Sequence, residues 1–498
     1  MSVDAAWRYT IGTSNVVLAI LDDGIEWTNR ELRARLVLNP GELQKFQPNH
    51  ADQSPCAPLL SGDPNSPRFD CALPPDGVVT VEDYAEKLGW TSNQPQDPND
   101  NGILDPGDIV LLNQNKQDDD GNGLVDDIAG WDFIDNDSIP NHGNTRHGTE
   151  VALDALAQTG DSLGRAGACP RCVGLALRVA DQRGSDPQRL ALAIVYAASR
   201  GATVALVGHS PIGRSETLEH AMQYAAQRGM LVLFPTDGEQ QIVSSLKFDS
   251  DAWLPLSVLT TRGDSELPTK TTSFVALDPC QAFPAGPLLA ASGPACSRRA
   301  YSTALGIAGL VASAAKFSKA PSKLTPLELA ASLRFTSDPI NMPEDNAPSL
   351  GSVRRINANS AVELVRNGLA PAELNVERPY WHEALALDRI KAQVEITGRL
   401  AFARADSLDL SISAAEGRSP HDASFQTIYT KKNWQSPGSG ASSTSTLAAV
   451  DLRAWYELLH PYFDREPLVQ SLVSLRIRAT SHYASAAGDR VSEAQVDR

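Results

Sequence analysis

The chain has 498 residues, of which 42% are hydrophobic and 21% charged, and it carries a formal net charge of −17. This length is enough for two or three domains that each bury a core. The acidic balance excludes nucleic acid as the main partner, because phosphate binding requires a basic surface, and no apolar run reaches the roughly 18–20 residues that span a bilayer.

Short apolar runs alternate with longer segments of helical periodicity, which is the pattern of a parallel sheet covered by helices. The expected strands are Val16–Leu21, Cys172–Val179, Thr203–Val207 and Met230–Phe234. The expected helices are Pro187–Arg200, Ser215–Arg228 and Pro326–Phe335. The first two helices end in Arg-Gly, and the third opens with a capping box at Thr325. The sequence therefore predicts an α/β fold.

Two regions depart from this alternation. Residues 28–140 are rich in Pro, Asn, Asp and Gly, so we interpret them as a long insertion. After a linker at 366–381, the sequence alternates apolar and polar residues, as half-buried strands do. The clearest such segments are Val394–Thr397, Leu408–Ile412 and Leu475–Ala479. They predict a small all-β, sandwich-like domain over residues 382–498.

Six cysteines fall in three local pairs, which are Cys56 with Cys71, Cys169 with Cys172, and Cys280 with Cys296. An even count in near pairs favours disulfides formed in an oxidising compartment, although the connectivity stays open and buried free thiols are the alternative. The first residues do not form a signal peptide. We therefore expect a secreted, cell-surface or periplasmic chain whose leader peptide has been removed.

Residues with catalytic potential follow the first strand and open a later helix. Asp22 comes directly after the buried strand, where α/β proteins build their sites. His147 stands in Arg-His-Gly-Thr-Glu-Val-Ala, a glycine-assisted turn into an apolar helix. An Asp can orient a His whose other ring nitrogen takes a proton from a nucleophile. The two motifs in this order indicate an acid–imidazole pair.

Here the sequence resembles the subtilase family of serine peptidases. Asp22-Asp-Gly matches the family's Asp-x-Gly motif, and His147-Gly-Thr-Glu-Val-Ala matches its His-Gly-Thr-His-Val-Ala motif. Further segments continue the match in family order, and they begin at Gly167, Ile194 and Gly351. The resemblance implies a subtilisin-like domain over residues 1–365, with Asp22 orienting the base His147 and an extended peptide or protein as the partner in the cleft.

The family's nucleophile and oxyanion donor are missing from their usual places. Counting back without a gap from Gly309 puts Tyr301 where the catalytic serine belongs. Placing Ser302 there requires a one-residue deletion that turns the following helix by about 100°. The oxyanion amide is replaced by Gly238 in gapless alignment, or by Asp237 one residue earlier. Losing one such donor typically costs about 10²–10³ in rate.

The substrate-binding strand also departs from the family pattern. It usually ends in Ser-x-Gly, whereas Gly208-His209-Ser210 occupies that position here. We interpret His209, like His142 and His220, as a surface or packing residue. The alternative is that His209 lines the cleft.

Two acidic loops resemble calcium-binding loops of the EF-hand type, with glycine in the sixth place of each. The expected ligands of the first loop (97–108) are Asp97, Asn99, Asn101, the Ile103 carbonyl, Asp105 and Asp108. Those of the second loop (118–129) are Asp118, Asp120, Asn122, the Leu124 carbonyl and Asp126. The twelfth position is Asp108 in the first loop but Ala129 in the second. We expect structural Ca²⁺, the alternative being solvated acidic turns.

Three functional hypotheses follow. The first is an exported, calcium-stabilised peptidase fold that has lost peptide hydrolysis and acts in binding or assembly. The second is an active serine endopeptidase that uses Asp22, His147 and Ser302. The third and weakest is a calcium-stabilised surface-attachment module.

Overall fold

The structure is a computed structural model. The residues that it describes are 1–43, 74, 77–87, 97–141, 145–160, 162, 164–181, 184–209, 215–235, 256–263, 275–277, 288–292, 298–316, 323–339, 354–379, 393–402, 404–417, 420, 422–434, 445–459, 473–483 and 490–497.

The secondary structure has the α/β pattern that the sequence predicts, followed by strands alone with one short helix. The strands in chain order are β1 Val17–Asp22, β2 Val37–Leu38, β3 Val79–Thr80, β4 Trp131–Asp132, β5 Val173–Arg178, β6 Ala180–Asp181, β7 Gly184–Ser185, β8 Val204–Val207, β9 Leu231–Pro235, β10 Leu256–Gly263, β11 Val275–Leu277, β12 Leu288–Ser292, β13 Asp338–Pro339, β14 Arg354–Arg355, β15 Glu373–Arg378, β16 Val394–Ala401, β17 Ser407–Glu416, β18 Gln426–Trp434, β19 Ser445–Val450, β20 Val473–Tyr483 and β21 Arg490–Asp497. The helices are α1 Val3–Ala6, α2 Val81–Lys87, α3 Pro106–Asn113, α4 His147–Leu156, α5 Pro187–Ser199, α6 Glu216–Gln227, α7 Arg299–Lys316, α8 Pro326–Phe335, α9 Ala358–Arg366 and α10 Leu452–Leu459.

A mostly parallel sheet forms the centre of the first domain. Among the described residues its order is β13-β14-β12-β10-β9-β8-β1-β5-β4, with β11 paired to β10. Strand β1 lies between β5 and β8 and is parallel to both. The four strands expected from apolar runs agree with β1, β5, β8 and β9 to within one residue at most ends.

The sheet is covered on both faces because alternate residues of its buried strands point in opposite directions. Leu18 and Ile20 of β1 join the core beneath α4, α7 and α9. Ala19 and Leu21 join the opposite core beneath α5 and α6. Both cores contain the apolar faces that the helical periodicity predicted.

Helix α7 approaches the sheet closely through two glycines. A Cβ atom on Gly306 would lie 2.7 Å from the Ala168 Cβ atom and 2.9 Å from the Ala155 carbonyl oxygen. A Cβ atom on Gly309 would lie 3.0 Å from both the Cys172 Sγ atom and the Leu18 side chain. These close approaches fix the rotation of α7 about its own axis.

The insertion predicted at 28–140 contributes to the first domain rather than standing apart from it. Strand β4 extends the central sheet by pairing in parallel with β5. Ile109 of α3 and Tyr84 of α2 are buried in the same core as α4 and α7. Much of the remaining insertion, including Cys56 and Cys71, lies outside the described residues.

The C-terminal region forms two antiparallel sheets, which are β15-β16-β19 and β18-β17-β20-β21. One shared core joins them, as in a sandwich. The structure corrects the linker predicted at 366–381, because strand β15 lies within that range and pairs with β16. Leu374 and Val376 are buried in the sandwich core, so burial of alternate residues makes this segment a strand.

No helix among the described residues is both long enough and apolar enough to cross a bilayer. The longest of them, α7, is instead buried against the central sheet.

We expect Gly306→Ala to lower the free energy of unfolding by about 1–3 kcal/mol, because the added methyl group overpacks the contact with a backbone carbonyl. Urea denaturation followed by circular dichroism measures this change. Thr303→Ala, at a half-buried position of the same helix, is the matched control and should change stability little. Equal stability of the two variants would contradict the close packing of α7.

Candidate active site

Asp22 ends the central strand and is fully buried. Its Oδ1 atom lies 2.8 Å from Nδ1 of His147. Gly208, just after β8, provides the necessary space, because a Cβ atom there would come within 1.8 Å of the Asp22 Oδ2 atom. Burial opposes ionisation, but the contacts from His147 and His209 outweigh it and hold the pKa of Asp22 below its usual value. Asp22 is therefore an ionised partner for the imidazole.

His147 is the first residue of α4, and the second acid of the Asp22-Asp-Gly motif holds the helix in place. The Asp23 carboxylate accepts hydrogen bonds from the backbone N–H groups of His147, at 3.2 Å, and Gly148, at 2.7 Å. A Cβ atom on Gly148 would lie 2.4 Å from the Gly24 carbonyl oxygen, so glycine is required there. Because an ionised Asp22 only accepts, Nδ1 of His147 carries a proton and Nε2 faces outward from the pair.

The hydroxyl group beside Nε2 of His147 belongs to Tyr301. The Tyr301 Oη atom lies 3.0 Å from Nε2, and the side chain is only 2% exposed. With Nδ1 protonated, a neutral imidazole accepts the phenolic hydrogen at Nε2. The site thus holds an Asp–His–Tyr chain of hydrogen bonds, with a buried phenol at its end.

Ser302 is held in a different network. Its Oγ atom is fully buried and lies 3.0 Å from Asp154 Oδ2 and 3.0 Å from the Arg298 carbonyl oxygen. Arg165 binds Asp154 at 2.8 Å and also pairs with Glu150. Ser302 therefore belongs to the contact between α7 and α4. Its predicted role as the nucleophile does not agree with this placement, because the phase of α7 turns its hydroxyl to Asp154.

His209 lies beside the acid–imidazole pair, although its sequence context favoured a surface or packing role. Its Nε2 atom lies 3.3 Å from Asp22 Oδ1, and its ring centroid is 4.8 Å from that of His147. It follows β8, whose carboxyl end lies beside that of β1. The sequence signal that indicated Asp22, a position directly after a buried strand, also applied to His209. His209 therefore lies next to the acid–imidazole pair.

The oxyanion candidates Asp237 and Gly238 lie outside the described residues, as do Cys280, Cys296 and His142. Their roles stay predictions. Cys169 and Cys172 are both buried, and the structure joins them by a disulfide just before β5.

The first acidic loop has the backbone turn expected of a calcium loop, but two of its acids cap a helix. Asp97 accepts hydrogen bonds from the backbone N–H groups of Asn101, at 3.0 Å, and Gly102, at 2.6 Å. Asp105 and Asp108 instead form the capping box at the start of α3. Asp108, which was expected to be the twelfth-position calcium ligand, thus caps the start of helix α3.

The second acidic loop repeats this turn, since Asp118 accepts from the backbone N–H groups of Asn122, at 3.1 Å, and Gly123, at 2.8 Å. Asp126, expected as a ligand, instead accepts from the backbone of Asn115 and Lys116, at 2.7 and 2.9 Å. These hydrogen bonds direct the Asp126 carboxylate towards the residues that precede the loop.

Among the described residues, two groups bring three acidic or imidazole ligand atoms within 4.8 Å of one another. One consists of Asp22, His147 and His209, which the hydrogen-bonded acid–imidazole pair already explains. The other consists of Asp118, Asp120 and Glu42. Glu42 comes from outside the loop and was not predicted.

Comparisons with known proteins agree with this geometry. The model of the subtilase family matches residues 13–323. Thermitase from Thermoactinomyces vulgaris is 41% identical over 107 residues, which are 21% of this chain and 38% of thermitase. A thermophilic serine proteinase from Bacillus sp. (strain AK1) is also 41% identical over 107 residues, and 26% of its length is covered. The chain thus spans less than two fifths of either relative.

Two solved structures are similar at low identity. A protease from Pseudoalteromonas arctica PAMC 21717 is 14% identical with a TM-score of 0.44, covering 73% of this chain and 94% of that one. Fervidolysin from Fervidobacterium pennivorans is 10% identical with a TM-score of 0.42, covering 100% of this chain and 60% of its own.

The two hydroxyl variants of α7 should have separable effects. Tyr301→Phe should move the ¹⁵N resonance of His147 Nε2, because it removes the hydrogen bond there. Ser302→Ala should leave that resonance unchanged and lower the free energy of unfolding by about 1–3 kcal/mol, because buried Asp154 loses a partner. NMR of the imidazole nitrogens, assigned with His147→Ala, checks this, and a resonance shift in Ser302→Ala alone would contradict the placement.

Proposed function

The chain belongs to the subtilase family of serine peptidases, and we propose that it keeps the family's acid–imidazole pair but does not hydrolyse peptide bonds. It acts instead by binding an extended peptide or protein in its cleft, or in assembly. The single observation that supports this proposal is the Tyr301 hydroxyl, 3.0 Å from Nε2 of His147, where a serine peptidase needs its nucleophile.

A buried phenol does not replace an exposed serine. The serine mechanism requires a small hydroxyl that both contacts the base and reaches the scissile carbonyl. Tyr301 contacts the base, but with 2% of the residue exposed, its oxygen is closed to a substrate carbonyl. Ser302 has the right chemistry, but its hydroxyl is committed to Asp154 at 3.0 Å. An Asp–His pair without an accessible nucleophile can still form hydrogen bonds, but it cannot catalyse acyl transfer.

The cleft keeps groups suited to binding. The side chain of His147 is 24% exposed and that of His209 is 34% exposed. Both rings are amphipathic and can donate or accept hydrogen bonds. The two imidazoles thus offer polar groups to a bound chain.

We infer that calcium is the structural cofactor, bound in the insertion. The support is the repeated turn in which Asp97 and Asp118 accept the N–H groups of the sixth-position glycines, at 2.6 and 2.8 Å. We also infer a secreted, cell-surface or periplasmic location. The Cys169–Cys172 disulfide supports it, because such bonds persist mainly in oxidising compartments.

We expect the wild-type protein to cleave casein and fluorogenic peptides, with calcium present, no faster than the His147→Ala variant. Residual rates in both would reflect background, because neither has an accessible nucleophile. A fluorophosphonate probe should likewise leave the wild type unlabelled. Labelling that Ser302→Ala abolishes would overturn the proposal and establish an active endopeptidase.

Calcium removal gives a separate test. Stripping the protein with EDTA should lower its melting temperature, and added calcium should restore it, because the acidic loops lose the cation that offsets their mutual repulsion. Differential scanning calorimetry of the full chain measures this. An unchanged melting temperature, together with no calcium binding by isothermal titration calorimetry, would refute the calcium assignment.

A further inference from the structure

Glu42 lies against the second acidic loop although it is 76 or more residues away from it in sequence. It ends a short 3₁₀ turn, Pro40–Glu42, that follows β2. Its Oε1 atom accepts the backbone N–H groups of Asp119, at 2.9 Å, and Asp120, at 3.2 Å. The backbone of the loop therefore holds one oxygen of Glu42 and fixes where the other oxygen lies.

The second oxygen of Glu42 is the unusual one. Glu42 is 1% exposed, and its Oε2 atom is buried and has no hydrogen-bond partner among the residues that the structure describes. Buried polar atoms are nearly always paired, and an unpaired carboxylate oxygen carries a large desolvation cost. Ligand atoms of Asp118 and Asp120 lie within 4.8 Å of those of Glu42. Glu42 thus brings a carboxylate with one unpartnered oxygen to a place where two other carboxylates converge.

These carboxylates repel one another unless a cation lies between them. A calcium ion takes six to eight oxygen ligands, several of them carboxylate, and offsets this cost directly.

The second loop lacks an acid of its own at the twelfth position, which is Ala129. In EF-hand loops a bidentate Glu at that position closes the site. The first loop has Asp108 there, but its oxygens accept the backbone N–H groups of Asp105, at 2.8 Å, and Asn99, at 3.2 Å. Asp is also shorter than Glu.

We propose that Glu42 is the closing calcium ligand of the second loop, supplied from a distant part of the chain in place of Ala129. The second loop is therefore the tighter calcium site, although its own sequence is the less complete. This inference rests on the proposed calcium binding. It also means that calcium joins two distant parts of the insertion, which are the segment after β2 and the second acidic loop.

The test uses Glu42→Gln, which keeps the shape of the side chain and removes its charge. In isothermal titration calorimetry of EDTA-stripped full-length protein, Glu42→Gln should weaken the tightest calcium-binding event at least about tenfold. In EDTA it should melt at the same temperature as the wild type or higher, because a buried unpaired charge is gone. Calcium should then raise its melting temperature less than it raises that of the wild type.

Three further variants complete the design. Asp118→Asn, at a partly exposed position of the same site, should weaken the same event. Asp108→Asn should leave the event in place, and Glu363→Gln, an exposed acid on α9, should behave as wild type.

The outcomes separate the two proposals. Calcium binding by the wild type that Glu42→Gln leaves unchanged would overturn the role of Glu42 alone. Loss of the tightest event in Asp108→Asn but not in Glu42→Gln would assign that event to the first loop and also overturn it. Absence of any calcium binding by the wild type would refute the calcium assignment itself.

Discussion

The rotation of helix α7 about its axis is the constraint on which the chemistry of the site depends. Gly306 lies against the Ala155 carbonyl oxygen, and Gly309 lies against the Cys172 and Leu18 side chains, so any other rotation would push a larger residue into these contacts. Residue 301 is thereby directed to the imidazole and residue 302 to Asp154. A step of one residue is about 100° of rotation, so backbone packing decides which hydroxyl the base contacts.

The acid of the pair and the groups that anchor its imidazole come from outside that helix. Asp22 and Asp23 belong to the end of β1, and the second of them anchors the first turn of α4 through its N–H groups. Asp22 thus holds Nδ1 of His147, whereas α7 supplies the group that contacts Nε2. A site that keeps this pair retains preorganised polar groups, which agrees with the proposed role in binding. His209 likewise comes from outside α7, since it follows β8.

Much of this was predictable from local sequence. Continuous apolar runs gave the central strands, the capping box at Thr325 gave the start of α8, and alternation gave the sandwich strands. The resemblance to the subtilase family, counted back without a gap from Gly309, also indicated Tyr301 as the residue next to the imidazole. These features depend on residues that are near one another in the chain, where spacing translates directly into which face a side chain occupies. The strand β15 was not predicted, because a short run of alternating apolar and polar residues is as typical of a linker as of a strand.

The sequence by itself determined the α/β fold, the acid–imidazole pair and the absence of serine from its usual place. Only the tertiary structure decided the partners of residues far apart in the chain. It places His209 next to Asp22, the Ser302 hydroxyl in a hydrogen bond with Asp154, and Glu42 at the second acidic loop. Spacing along a helix or strand fixes the face on which a side chain lies. Which group that side chain contacts depends on how the elements pack.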